Sequence, residues 1–412
     1  MTQTQPESNA SRGATGGGLQ LFSRETATAL MSDAGIDILL PHTQLNAGYL
    51  ADYYFNIIAN WPFYLSETQV PYISFVGLPE DAGTPPFLVG HTGANAVDIG
   101  FCDPWIEDRY LFGPSDPENV RVAPAKSNRP VSTSAIEAAV RAIVDRDLDS
   151  SVIGIEADYL GVAVVESLTT MLPNAEFVDG RHVIDALRRI KSPEETRRME
   201  VACAASRAAH VAISKLARPG LTGRELARIV KRTIVEHDCD VDFVEVHANR
   251  DGALLFAPND YEIRVGESFV VDIGARYLNY ASDMAHNYCI GEPDALTARV
   301  HEAGLAAFNA VVNAASVGII ARDLYAIGTK ALADRGFDPT YHMMGHGLGR
   351  HVHERPVLGP GDDSKLHAGE IIAVEVPMYL PGSCWVQIEE NFVVNDSGLR
   401  WLEPWNLDIC VL

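Results

Sequence analysis

The sequence has few basic residues for its length. Only 32 of its 412 residues are lysine or arginine, against 55 aspartate and glutamate residues, which gives a formal net charge of −23. A surface with this excess of negative charge repels phosphate backbones and anionic lipid headgroups. We therefore expect neither nucleic acid nor a membrane surface among the partners of this protein.

Cysteine is also scarce, and long apolar runs are absent. The six cysteines lie far apart without a CxxC pair, which favours reduced thiols and a cytoplasmic location over a disulfide scaffold. No run of about 18 apolar residues occurs, so no membrane-spanning helix is expected. Residues 1–18 lack the basic start and apolar stretch of a signal peptide, and we predict a disordered tail there.

The rest of the chain has the composition of a folded protein and is long enough for two domains. Hydrophobic residues make up 47% of it and charged residues 21%. Between residues 19 and 189, short apolar runs such as Ile36–Leu40 and Ser151–Ile155 alternate with helical patterns such as Ser134–Asp145. This alternation predicts an α/β layer domain over residues 19–189.

A domain boundary is predicted at residue 190. Ser192 and Glu195 form a capping box with Pro193 in the first turn, so a long helix should begin there. We assign residues 190–412 to a second domain. Thr222 and Glu225 form another capping box and open a helix to about Asp238, after which we expect a polar loop.

The second domain shows a faint internal repeat. Two helices followed by a strand pair occur twice, with the strand pairs near residues 268–290 and 371–394. In addition, Gly220–Leu226 matches Gly318–Leu324 at an offset of 98 residues. This pattern predicts a duplicated domain with pseudo-two-fold symmetry.

Each predicted strand pair carries two acids. If the first hairpin turns between Tyr277 and Leu278, Asp272 faces Asp283, and if the second turns at Pro381-Gly382, Glu375 faces Glu389. The surrounding strand residues are apolar, so these four carboxylates should be buried. Opposed buried acids are costly unless they ionise together around a cation, and we therefore predict a metal site.

A histidine-rich segment supplies further candidates. Four of the 13 histidines fall within His342–His353, among glycines that allow close backbone approach. We predict His346 as a metal ligand and His353 as a second site residue. The Gly345–Gly349 stretch lacks the preceding strand and the downstream acid of a dinucleotide-binding loop. HExxH, GxSxG and P-loop motifs are absent.

Four carboxylates and one imidazole, without a thiolate, suit Mn²⁺, Co²⁺, Zn²⁺ or Fe²⁺, and we expect Mn²⁺. Four negative charges balance two divalent ions. Two such ions about 3.5 to 4 Å apart can activate a water and polarise a carbonyl. The predicted chemistry is therefore amide hydrolysis at a dinuclear centre.

At these residues the chain resembles the family of creatinase, aminopeptidase P, prolidase and methionine aminopeptidase. The resemblance covers about residues 190–411 and implies a C-terminal pita-bread catalytic domain behind a creatinase-like N-terminal α/β domain. The matching pieces are Asp272-Ile273-Gly274 with Asp283 eleven residues later, Gly345–Gly349 with His353–Pro356, Glu375 before Pro377, and Ile388–Asn391.

The resemblance also implies roles for these residues. Asp272, Asp283, His346, Glu375 and Glu389 would hold two divalent ions. Asp283 and Glu389 would bridge the ions, and Glu375 would help to deprotonate the attacking water. His353 would contact the substrate carbonyl or the tetrahedral intermediate. A homodimer is a further expectation from the resemblance.

The chain departs from the peptidases of this family at two places. They have a substrate-side histidine about 17 residues before the first metal aspartate, where this chain has Leu254-Leu255-Phe256. They also favour Asp-x-Thr-Arg, where this chain has Asp283–His286. We predict that Phe256 borders the substrate and that His247 or His286 replaces the missing histidine.

Three functions remain open from the sequence. The first is a metal-dependent hydrolase of an amide in a small peptide or peptide-like metabolite, similar to the Xaa-Pro peptidases. The second is a hydrolase or lyase of a non-peptide molecule, similar to creatinase, ectoine hydrolase or the dimethylsulfoniopropionate lyases of this fold. The third is an inactive binding module, as in the histone-chaperone relatives of this fold.

Overall fold

The computed structural model describes residues 19–52, 73–91, 104–113, 129–248, 258–380 and 382–412. The chain divides into two compact units, Met1–Leu187 and Arg188–Leu412, close to the boundary expected at residue 190. The predicted tail at residues 1–18 lies outside the described residues. No helix in the described part of the chain is both long and apolar enough to cross a bilayer.

The first unit is an α/β domain, as the sequence predicts. Its strands form one sheet in the order β4-β3-β2-β1-β5-β6, and its core contains Ile38, Phe87, Tyr110 and Ile153. The elements are α1 (Arg24–Ala34), β1 (Ile38–Leu39), α2 (Gln44–Ala51), β2 (Ile73–Pro79), β3 (Phe87–His91), β4 (Arg109–Phe112), α3 (Ala135–Val144), β5 (Val152–Ile155), α4 (Val162–Met171) and β6 (Glu176–Asp179), followed by α5 (Arg181–Arg189).

The second unit begins with the two capped helices. Ser192 and Glu195 form a reciprocal capping box at the start of α6 (Pro193–Leu216), and Thr222 and Glu225 form another at α7 (Gly223–Glu236). Both boxes satisfy backbone N–H groups that a helix start leaves without partners. The remaining helices are α8 (Ala295–Ala314) and α9 (Ala321–Ala333).

The strands of the second unit form one sheet in the order β12-β11-β13-β14-β10-β8-β7, with three short strands pairing alongside. They are β7 (Asp240–His247), β8 (Ser268–Tyr277), β9 (Tyr280–Ala281), β10 (Met284–Cys289), β11 (His346–Gly347), β12 (Glu354–Val357), β13 (Ile371–Leu380), β14 (Cys384–Asn395), β15 (Gly398–Trp401) and β16 (Cys410–Val411). One apolar core contains residues of α6, α7 and β8, and another contains residues of α8, α9, β13 and β14. The predicted duplicated architecture is confirmed.

The repeat at an offset of 98 residues is visible in the backbone. Gly220 and Gly318 have φ angles of 86° and 87°. Gly220 N–H donates to Ile263 O and Gly318 N–H donates to Leu366 O, both at 2.8 Å. Ile263 N–H in turn donates to Leu221 O, and Leu366 N–H to Ile319 O. The matching segments therefore make equivalent turns, with glycine where a left-handed conformation is needed.

Two sequence predictions in this unit are wrong. The segment after α7, expected as a loop, forms β7 and pairs with β8 along its length. The first hairpin turns at Leu278-Asn279, with φ angles of 46° and 70°, one residue later than predicted. Asp272 therefore faces Ala285 and not Asp283. Because this shift of the turn changes the register by two residues, Asp283 stays on the predicted face of the sheet.

Candidate metal centre

The predicted acids lie in one row across the sheet. Glu375 on β13 faces Glu389 on β14, as predicted from the Pro381-Gly382 turn. Glu389 faces Ala285 on β10, and Ala285 faces Asp272 on β8. Asp283 precedes Ala285 by two residues and so belongs to the same face. The small side chain of Ala285 leaves room for the carboxylates on either side of it.

His346 on β11 completes the group. Its Nε2 lies 3.5 Å from Asp283 Oδ2, 3.6 Å from Glu389 Oε1 and 3.8 Å from Glu375 Oε1. Its Nδ1 lies 3.0 Å from the carbonyl oxygen of Gly347. Since a carbonyl only accepts, Nδ1 carries the proton, and the lone pair of Nε2 is directed towards the acids and is free to bind a cation among them.

The glycines beside His346 are required by close backbone contacts. A Cβ on Gly345 would lie 2.2 Å from Ala373 O, and one on Gly347 would lie 2.2 Å from Arg355 O. Gly345 also has a φ of 137°, which side chains rarely allow. The glycines thus hold β11 tightly against β12 and β13, so that His346 reaches the acids.

The ligand atoms fit divalent cations. Four of them are buried without a hydrogen-bond partner in the described structure, namely Asp272 Oδ1, His346 Nε2, Glu375 Oε1 and Glu389 Oε1. Ligand atoms of His346, Glu375 and Glu389 lie within 4.8 Å of one another, and so do those of Asp272, Asp283 and Glu389. Buried polar atoms normally have partners, and a pair of cations would satisfy all four.

The acids also repel one another. Burial raises the pKa of Asp283 and of Glu375 well above the ordinary range, and in both cases Glu389 adds to the shift. Burial, then Asp272, raises the pKa of Glu389 in the same direction. The pKa of Asp272 rises to about 7, through burial and then Glu245. Cations would remove this repulsion and let all four carboxylates ionise.

Gln387 is a site residue that the sequence reasoning missed. Its Nε2 donates to Asp272 Oδ2 at 2.9 Å and to Glu389 Oε2 at 3.0 Å. Its Oε1 accepts from the Tyr379 hydroxyl. Gln387 precedes Glu389 by two residues, so the period-two alternation of a strand could have placed it on the same face. It orients the carboxylates of two different strands.

Glu245 is a second missed residue. It faces Asp272 across β7 and β8, and its Oε2 lies 3.1 Å from His247 Nε2. Its side chain is 21% exposed, in contrast to the four fully embedded acids. The alternating polar and apolar residues of Asp240–His247 were a strand signal for this segment. A fifth carboxylate therefore adjoins the row.

His353 lies beside His346, with ring centroids 4.1 Å apart. One ring nitrogen of His353 also lies within 4.8 Å of ligand atoms of Asp283 and His346. Partial burial, followed by the influence of His346 and His342, lowers the pKa of His353 to about 4. The ring is therefore neutral at pH 7 and can donate or accept one hydrogen bond.

The other predicted substrate residues are not all at this site. His247 packs flat against Trp385, with centroids 5.5 Å apart and planes inclined by 12°. His286 lies on the opposite face of β10 from Asp283, and its Nε2 is 2.7 Å from Glu390 Oε1. The structure does not bring His286 to the acids, because side chains alternate along a strand. Phe256 and its neighbours Leu254 and Leu255 lie outside the described residues.

The turn that carries His353 is anchored by the next residue, Glu354. Its carboxylate accepts from the backbone N–H groups of Arg350 and His351, both at 3.1 Å, and pairs with Lys191 Nζ at 3.1 Å and with Arg188. Burial raises the pKa of Glu354, but Lys191 and Arg188 outweigh burial and hold it at about 2. The charged form is thus strongly favoured.

Replacing Glu354 with glutamine is expected to cost about 3 kcal/mol of stability at pH 7. Because the folded pKa lies below the unfolded value, this contribution is present above about pH 4.5 and is lost as the pH falls towards 2. Urea unfolding at pH 7 and at pH 3 checks this. The exposed Asp260→Asn serves as control and should change little; a Glu354 effect independent of pH would contradict the assignment.

The fold and the site define a two-domain metal-dependent hydrolase, and comparison with known proteins agrees. Residues 197–396 match the model of metallopeptidase family M24, and residues 107–190 match that of the creatinase/prolidase N-terminal domain. An Xaa-Pro dipeptidase of Lactobacillus helveticus is 28% identical over 274 residues, which cover 65% of this chain and 74% of the relative. The Xaa-Pro dipeptidase of Pyrococcus furiosus is 29% identical over 62% of this chain and 74% of its own length.

A solved structure shows the same fold over nearly the whole chain. The prolidase from Pyrococcus horikoshii OT3 superposes with a TM-score of 0.75 at 21% identity, covering 94% of this chain and 99% of that one. Residues 197–396 are therefore similar to the M24 metallopeptidases, and the protein is a metal-dependent peptidase.

Proposed function

We propose that this peptidase cleaves the bond before proline in small peptides at a centre of two divalent ions. One observation carries the proposal: buried ligand atoms that lack hydrogen-bond partners come together, with Asp283 beside them. They belong to Asp272, His346, Glu375 and Glu389. The similarity to Xaa-Pro dipeptidases supports peptides that contain proline as the substrate class. Mn²⁺ is the proposed ion, since the set is rich in oxygen and lacks thiolate.

In this proposal the five side chains have different roles. Asp283 and Glu389 would be shared by the two ions, and Asp272, His346 and Glu375 would complete the set of residues that holds them. Two divalent ions, when bound, activate a water at neutral pH and polarise the scissile carbonyl. The carboxylate of Glu375 would accept the proton of the attacking water, and His353 would donate a hydrogen bond to the carbonyl oxygen. Gln387 keeps Asp272 and Glu389 oriented throughout.

The test is substrate profiling of the full chain, stripped with chelator and reloaded with Mn²⁺. Dipeptides ending in proline are compared with the same dipeptides ending in alanine or leucine. Faster hydrolysis of the proline series supports the proposal. Hydrolysis of the other series alone overturns the proline specificity, and inertness towards every peptide would overturn the proposed function itself.

His353→Ala is expected to reduce turnover about 100-fold to 1,000-fold, the effect of losing one donor to a developing oxyanion. Divalent ions should stay bound, because the five proposed ligands are intact. Steady-state kinetics and metal analysis of the same preparation check both statements. Loss of metal in this variant would instead make His353 a ligand.

We also propose that the protein is cytoplasmic, as its scattered cysteines indicate, and that it is a homodimer, as the resemblance to the creatinase and prolidase family implies. Light scattering of the purified full chain tests the dimer, and a monomeric mass would contradict it. Fractionation of the producing cells tests the location. Recovery with secreted or membrane material would contradict the cytoplasmic assignment.

A further inference from the structure

The two halves of the catalytic sheet meet between β10 and β14, at a seam where the strands form little regular backbone pairing. In the described structure these strands share one paired position, Ala285 with Glu389. Two residues away in each direction, side-chain amides join the strands in place of a regular ladder. Both amides come from buried asparagines, Asn287 on β10 and Asn391 on β14, each at most 5% exposed.

Asn391 holds the backbone of Asp283. Its Oδ1 accepts from Asp283 N–H at 2.9 Å, and its Nδ2 donates to Asp283 O. The same Oδ1 also accepts from the Cys203 thiol at 3.2 Å. Both backbone groups of one proposed bridging acid therefore depend on a single side chain from the opposite strand.

Asn287 holds the backbone of Gln387 in the same way. Its Nδ2 donates to Gln387 O at 2.7 Å, and its Oδ1 accepts from Gln387 N–H at 3.1 Å. Gln387 is the residue whose side chain joins Asp272 to Glu389. The second amide therefore fixes the group that orients two further ligands.

The two clamps are arranged in the same way on their strands. On β10 the asparagine follows Asp283 by four residues, and on β14 it follows Gln387 by four residues. Each strand thus offers one clamped residue and one clamping residue, arranged symmetrically about the Ala285–Glu389 pair. At these two positions the side-chain amides, and not backbone pairs, therefore connect β10 to β14.

We propose that Asn287 and Asn391 are positioning residues that set the spacing of the metal ligands across this seam. The inference rests on the proposed metal centre, because the clamped residues are a proposed ligand and the partner of two others. Ligand geometry governs metal affinity, and partners that orient ligands typically contribute 10-fold to 100-fold to it. A stabilising role alone would leave that affinity unchanged.

The experiment measures Mn²⁺ binding by calorimetry on the chelator-stripped full chain. Asn391→Leu and Asn287→Leu keep the volume but remove the amide, and each is expected to weaken Mn²⁺ binding 10-fold to 100-fold. The visible spectrum of the Co²⁺-loaded protein should change as well, because it reports coordination geometry. If a leucine variant does not fold, the corresponding serine variant, which leaves room for a water, takes its place.

The matched control is His301→Leu on α8, which removes another buried bond from a side chain to a backbone carbonyl, that of Leu407. It should lower the melting temperature without changing Mn²⁺ affinity. Unchanged Mn²⁺ affinity in the asparagine variants, or an equal loss in the control, overturns the inference. Asp283→Ala distinguishes a failure of this inference from a failure of the proposed metal centre. If this variant also binds Mn²⁺ normally, the proposed ligand set is wrong.

Discussion

Replacing Asp283 or Glu389 with alanine is expected to abolish peptide hydrolysis and the binding of divalent ions together. Each carboxylate is buried and lies within 3.6 Å of His346 Nε2, and ligand atoms of the two converge with Asp272. Removing either one deletes a bridge between the two proposed ions and leaves their charge unbalanced. Turnover should fall by at least a factor of about 1,000, equivalent to about 4 kcal/mol.

The measurement pairs steady-state rates with metal analysis after gel filtration. Asp334→Ala, which removes an exposed acid paired with Lys330, is the control and should keep both activity and metal. Retained turnover in either variant would refute the bridging assignment. In chelator-stripped protein, the isosteric Asp283→Asn should be at least as stable as the parent, because one of four mutually repelling acids is gone.

The second hairpin shows how far sequence reasoning reaches. Pro381-Gly382 specifies a turn, the turn specifies the register, and the register brings Glu375 opposite Glu389 as observed. The burial of both acids followed from their apolar neighbours. Such a chain of inference works where a strong turn signal lies between two long strands, since every later step is geometry.

The first hairpin shows where it fails. Several residues around Arg276–Asn279 could have formed the turn, and non-glycine residues with positive φ, Leu278 and Asn279, occupy it. Local preferences do not single out such a pair. Asp283 still lies on the predicted face of the sheet, because the error in the register was an even number of residues.

Other misses have different causes. The alternation of side chains along a strand could have placed Gln387 and Glu245 on the face that carries the acids. A glutamine or a single acid does not by itself indicate a metal site, so neither residue was predicted. Placing His286 near the substrate ignored that alternation, which assigns it to the face opposite Asp283. What it contacts there could not be predicted, because Arg207 comes from α6, 79 residues earlier in the chain.

That opposite face gives the second large expected effect: Arg207→Leu should destabilise the protein by about 3 to 5 kcal/mol. Arg207 pairs with the fully buried Glu390 at 2.6 Å and donates to Glu403 O at 2.8 Å. His286 and the Trp401 indole also contact Glu390. Burial raises the pKa of Glu390 to about 7 although Arg207 opposes the shift, so losing Arg207 leaves an uncompensated buried acid.

Urea unfolding followed by tryptophan fluorescence measures this loss, and the double variant Arg207→Leu with Glu390→Leu tests its origin. If the cost comes from the stranded carboxylate, removing Glu390 as well should recover most of the stability. Additive losses would mean that the two side chains act through packing alone. His286→Leu should likewise change stability and leave KM as it is. An altered KM would mean that His286 influences substrate binding from the opposite face of the sheet, through Glu390 and its neighbour Glu389.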